Sequence, residues 1–96
     1  MRVRFHEYAR REYLDAIRFL RDDDQQKAKD FVADVRQTVE RIRLRPLAGT
    51  PAEFGTRRRY LLKFRYTIFY RIMDGEIEIL AVMHQSRGPG YWYNRV

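Results

Sequence analysis

A pair of histidines, a run of arginines and a closing aromatic triplet are the residues of this chain with chemistry to offer. His84 is the strongest choice for proton transfer, because a free imidazole titrates at about 6.5. It closes an apolar stretch, where a histidine also serves simply as a hydrogen-bonding group. His6 is assigned no role. Two histidines with no carboxylate pattern around them do not make a metal site. Cysteine is absent, which removes disulfides, thiol catalysis and cysteine-bound metals. Neither a metal nor a cofactor is therefore expected. Arg57-Arg58-Arg59, Lys63 and Arg65 form the main basic stretch. Strand alternation would set Arg57, Arg59, Lys63 and Arg65 on one side, with Leu61 among them. Such a row suits phosphate or acidic protein groups, or it protects an edge strand from aggregation. Tyr91-Trp92-Tyr93 could stack on bases or fill a partner's pocket. The same triplet could instead fold back and cap the core, the commoner fate of a single tryptophan in a small domain.

The chain has 96 residues, enough for one domain, residues 1–96, and too few for two. Hydrophobic residues make up 45% and charged residues 34%, a balance that supports a core and a solvated surface. No apolar run approaches the roughly 18 residues of a membrane span, so no membrane association is expected. Met1-Arg2-Val3-Arg4-Phe5 leads into no apolar export signal, and a cytoplasmic location is expected. The net charge is +7. Residues 1–22 carry six positive and four negative groups, residues 23–56 six of each, and residues 57–96 eight against three. The excess of five in the last segment favours polyanionic partners, nucleic acid, ribosome or an acidic protein segment, or else it is a solvated surface that keeps a small protein soluble. No small-molecule substrate is expected.

The elements that must position these groups follow from hydrophobic periodicity. Arg2 to His6 alternates, with Val3 and Phe5 on one face, as in a short strand. Ala9, Tyr13, Ala16, Ile17 and Leu20 recur at helical spacing, and the helix ends near Asp22-Asp23-Asp24, whose last members can cap the next one. Ala28, Phe31, Val32, Val35, Val39 and Ile42 form the stripe of a second helix, which stops before Pro46. Residues 46–56 hold Pro46, Gly49, Pro51 and Gly55 and read as a loop. Strands then follow over Arg59–Phe64, Tyr66–Ile72 and Glu76–His84, with Asp74-Gly75 as a hairpin turn. Alternation puts Ile77, Ile79, Ala81 and Met83 on one face of the last strand, and Glu78, Leu80, Val82 and His84 on the other. The expected fold is α+β in the order β-α-α-β-β-β, a four-stranded antiparallel sheet with a helical hairpin on one face. Its open face would carry Thr67, Phe69, Arg71, Glu78 and His84.

Arg58-Arg59-Tyr60-Leu61-Leu62-Lys63-Phe64-Arg65-Tyr66-Thr67-Ile68-Phe69-Tyr70-Arg71-Ile72 resembles the central hairpin of the RelE/ParE toxin superfamily. So does Glu76 to Arg87 followed by Pro89-Gly90-Tyr91-Trp92, and so does the helix ending in Ile42 to Pro46 with Leu47 and Gly49 after it. The resemblance implies the toxin of a type II toxin–antitoxin (plasmid stabilisation) pair, held inactive by an acidic cognate antitoxin around the helical hairpin and a sheet edge. It implies one of two targets, DNA gyrase or mRNA on the ribosome. A ribosome-dependent endoribonuclease would use His84, Arg87 and Tyr91. Where that branch often carries arginines, this chain has Thr67 and Gln85. The ParE-like, gyrase-directed branch is therefore the expectation, with Arg59, Lys63, Arg65, Arg71, Arg87, Tyr91 and Trp92 as target contacts. A homologue that only binds its antitoxin is the third reading.

Overall fold

Strand β1 (Arg2–Phe5) turns Val3 and Phe5 toward the core and ends at His6, whose ring accepts the Tyr8 amide at 3.1 Å and caps helix α1 (Glu7–Asp23). The computed structural model describes residues 1–88 and 90–96. Ala9 and Ala16 are buried along α1, with Tyr13, Ile17 and Leu20 beside them. Asp24 separates the helices and accepts the Gln26 amide at 2.9 Å as the cap of α2 (Gln25–Leu44). That carboxylate satisfies one of the orphan amides of the first turn. The two amphipathic helices pack on each other and on one face of the sheet.

Among the described residues the sheet has five strands rather than four. Residues 46–56 are not wholly loop, for they contain a two-residue strand β2 (Thr50–Pro51) and a turn of 3-10 helix at Glu53–Gly55. Then come β3 (Arg57–Tyr60), β4 (Tyr66–Met73) and β5 (Glu76–His84). The spatial order is β1-β5-β4-β3-β2, antiparallel except that β1 runs parallel to β5. The fold is α+β, but the expected all-antiparallel sheet is corrected. Each reversal flips the chain direction, so the extra strand β2 brings β5 back along β1 in the same sense. The expected strand over Arg59–Phe64 also ends early. Beyond Tyr60 the chain bends inward and buries Leu61 against the helices.

Asp34 causes that bend. It lies on the buried side of α2, and its carboxylate accepts the amides of Leu62 at 3.1 Å, Lys63 at 2.8 Å and Phe64 at 3.1 Å. One ionised side chain thus replaces the ladder partners the strand would have had. The row Arg57, Arg59, Lys63, Arg65 is broken as a result. Arg57 and Arg59 pair with Tyr70 and Ile68 inside the sheet, while Lys63 and Arg65 project from the loop as exposed side chains.

Asp74 and Gly75 both have positive φ, 54° and 75°, and close the β4–β5 hairpin as expected from the Asp-Gly pair. Between Phe69 and Tyr70 the register slips, since Phe69 faces Ala81 but Tyr70 faces Ile79. Leu80 is the extra residue of a β-bulge, and a bulge shifts the phase of every side chain beyond it. Ile77 and Ile79 therefore face the helices, and after the bulge Val82 does. Leu80 and Ala81 join Phe69 on the opposite face. Strict alternation fails for the second half of β5: Ala81 and Met83 belong to the open face, Val82 and His84 to the helix face.

Candidate functional site

The face away from the helices has its own small core. Phe69, Leu80 and Ala81 are covered by Trp92, whose ring lies 4.6 Å from that of Phe69. Trp92 is 1% exposed. Its place among the target contacts is corrected: the indole is packing, because the C-terminal segment folds back over the sheet. Gly90, at φ 91°, makes the turn that brings it there. Pro89, part of the Pro89-Gly90-Tyr91-Trp92 motif, lies outside the described residues.

Glu12 of α1 holds the segment down. Its carboxylate accepts Arg95 at 2.9 and 3.2 Å, lies 3.6 Å from the Arg87 guanidinium, and accepts the backbone amide of Val82 at 3.1 Å. Arg95 also donates to the Leu80 carbonyl at 2.9 Å. Strand β1 stops pairing at Ile79, so Glu12 and Arg95 satisfy backbone groups of β5 that no strand reaches. The Tyr91 ring is clamped under Arg87 at 3.6 Å and Arg95 at 5.1 Å. Its hydroxyl is buried without a hydrogen-bond partner. Burial first, and then the Glu12 carboxylate, push that phenol well above its ordinary pKa. It stays protonated and is a poor base at neutral pH.

The remaining expected site residues scatter. His84 is exposed at the end of β5, on the helix side, with its ring 5.0 Å from and perpendicular to that of Tyr66. Its Nδ1 accepts the Ser86 amide at 3.0 Å and lies 2.7 Å from the Ser86 hydroxyl. The expectation that His84 shares the open face with Arg71 and Glu78 is corrected, and the Leu80 bulge is the reason. Arg71 does lie on the open face, but it is spent on buried Glu78 at 2.9 Å, and Arg4 approaches the same carboxylate at 3.4 Å. Thr67 and Gln85 line an open-face cleft of about 400 Å³ with Tyr60 and Met83. The Arg87 and Tyr91 side chains are thus brought together, while among the described residues no side-chain hydrogen bond or ion pair joins His84, Arg71, Arg59, Lys63 or Arg65 to them.

Sequence reasoning missed Glu12 and Asp34. Helical spacing carries the signal for both. Glu12 falls three residues after Ala9 and four before Ala16, and Asp34 falls three after Phe31 and four before Thr38. A carboxylate on a buried stripe needs donors, and here it finds backbone amides and arginine. Among the described residues no three His, Asp or Glu side chains gather as metal ligands, and no helix is long and apolar enough to cross a membrane.

Comparison with known proteins agrees with this architecture. The family model for the ParE toxin of type II toxin–antitoxin system, parDE, matches residues 3–89. A solved structure of the chromosomal ParDE toxin–antitoxin system from P. aeruginosa is similar, with TM-score 0.73 and 25% identity over 88% of this chain and 95% of that one. No curated protein matches the chain. The matched stretch takes in both helices and, but for Arg2, the five strands, and the chain belongs to the ParE toxin family of type II toxin–antitoxin systems.

Proposed function

We propose that this toxin acts in the cytoplasm by binding DNA gyrase, without proton chemistry of its own, and that an acidic cognate antitoxin neutralises it. The observation that carries the reading is the state of the three groups a nuclease would need. The Tyr91 phenol is buried with its pKa raised, Arg87 is stacked on it beside Glu12, and His84 is bonded to Ser86. Two positions that could supply cations to a phosphorane hold Thr67 and Gln85 instead. A binding protein needs no such groups.

Purified toxin is expected to inhibit supercoiling by gyrase and to leave ribosome-bound mRNA intact. His84→Ala and Tyr91→Phe should fall far short of the roughly 10²-fold loss that follows removal of a working acid or base. Cleavage of ribosome-bound mRNA by the unaltered chain would replace this reading with the endoribonuclease one. Inactivity in both assays would leave a protein that only binds its antitoxin.

For the antitoxin, the groove between the helices is the best-supported seat. Ile17, Ala28 and Val32 line its apolar floor, and Arg21 and Lys29 stand at its rim, around a cavity of about 280 Å³. An acidic segment with apolar anchors matches both features. Val32→Glu puts a like charge into that groove. It should weaken co-purification with the product of the adjacent gene by about 10-fold or more, with the thermal midpoint moved by only a few degrees. Unchanged capture would place the antitoxin elsewhere, and no capture by the unaltered toxin would sink the pairing.

A further inference from the structure

Three arginines meet at one notch. Strand β2 covers only Arg57 and Arg58 of β3, so the sheet edge opens beside Arg59 and Tyr60. Arg41 from α2 and Arg58 and Arg59 from β3 line the resulting cleft of about 240 Å³. Arg58 pairs with Phe69 and Arg59 with Ile68, so their side chains leave opposite faces of β3 and wrap its edge. None of the three is paired with a carboxylate among the described residues. Each has a buried Nε without a hydrogen-bond partner. Arg41 donates to the uncharged Thr38 hydroxyl at 3.0 Å, and Arg58 sits 6.0 Å from the Tyr60 ring.

Like charges held together with unsatisfied buried donors are costly unless an anion joins them. The wall of the notch is built in advance. Arg57 donates to the carbonyls of Leu47 at 3.0 Å and Gly49 at 2.9 Å, and the Tyr70 hydroxyl donates to Pro46 at 2.6 Å. Gly49 lies so close to the Tyr70 hydroxyl that a Cβ there would collide with it.

We propose that Arg41, Arg58 and Arg59 form a binding site for the backbone phosphates of a nucleic acid. A carboxylate presents two oxygens in one plane, whereas these guanidinium groups arrive from a helix and from both faces of a strand. A tetrahedral phosphodiester can accept donors from such different directions. An adjoining cleft of about 300 Å³ is lined by Arg41, Arg45 and Arg59, which extends the positive track to a neighbouring phosphate. Tyr60, 56% exposed beside the notch, offers a ring to a base. The site does not depend on the target proposed above.

The test uses the full chain, labelled with ¹⁵N and titrated with a short DNA duplex while the arginine Nε–Hε resonances are followed. Those of Arg41, Arg58 and Arg59 should shift and gain protection from exchange. Arg59→Gln, and separately Arg58→Gln, should weaken duplex binding about 10-fold, the scale of one charged hydrogen bond, and lower the salt slope by about 1. Arg10→Gln, on the exposed side of α1, should leave both nearly unchanged. The site is refuted if the duplex shifts other arginines and leaves these three unmoved. It is equally refuted if both Gln variants keep the affinity and salt slope, or if a glutamate peptide of equal charge binds the same three residues as tightly.

Discussion

Replacing Trp92 by alanine should lower folding stability by about 4 kcal/mol, the scale of a large aromatic removed from a packed core. The indole is fully covered and forms the centre of the cluster with Phe69, Leu80 and Ala81. For a domain of this size that loss corresponds to a fall in thermal midpoint of roughly 15–30 °C. Removing residues 91–96 should cost more, about 5 kcal/mol or above. It strips the indole and also leaves Glu12 and the Leu80 carbonyl without Arg95. The truncated chain should then be largely unfolded near body temperature, since whole domains hold only about 5–15 kcal/mol. Circular dichroism on heating, read beside growth inhibition, checks both changes. A truncated chain that keeps its midpoint but loses toxicity would restore the segment as a targeting element and overturn the structural assignment.

Asp34→Ala should be comparably damaging, by about 3–5 kcal/mol. Three consecutive amides, those of Leu62, Lys63 and Phe64, lose one shared ionised acceptor. The bend that buries Leu61 and supports Phe64 and Tyr66 against Phe31 loses its anchor with them. Asp34→Asn should recover only part of the loss, because an amide can present one oxygen to these donors but its NH2 group faces them as a like donor. Urea midpoints of the three proteins order the effect. A stability of Asp34→Ala within about 1 kcal/mol of the parent would mean that water replaces the carboxylate at the loop, and the argument for its role would fail.

Much of the scaffold was legible from periodicity. The stripes Ala9 to Leu20 and Ala28 to Ile42, the cap at Asp24, the stop before Pro46 and the Asp74-Gly75 turn all stand where the residues place them. Each depends on neighbours within one or two turns of chain, which is the range a local pattern reports. The family was legible for a related reason, since the order and spacing of several such pieces is itself a pattern along the chain. The two-residue strand β2 was not legible. It is too short to show alternation, yet it alone reverses the chain once more and makes β1 and β5 parallel.

The site residues divide in the same way. By itself the sequence determined their types: a basic segment from residue 57 onward, an aromatic tail, and Thr67 and Gln85 where cations could stand. Tertiary structure alone decided which of them are available. One inserted residue at Leu80 turns His84 away from Arg71 and Glu78, and the alternation pattern carries no mark of it. Glu12 gathers Arg95, Arg87 and the Val82 amide from as far as 83 residues away, and so commits the tail to the sheet. Asp34 bends the basic strand 28 to 30 residues downstream, and the notch at β3 collects Arg41 with Arg58 and Arg59. The physical reason is common to all three. A charged side chain in a folded protein is defined by the donors and acceptors it meets in space, and those partners come from distant parts of the chain.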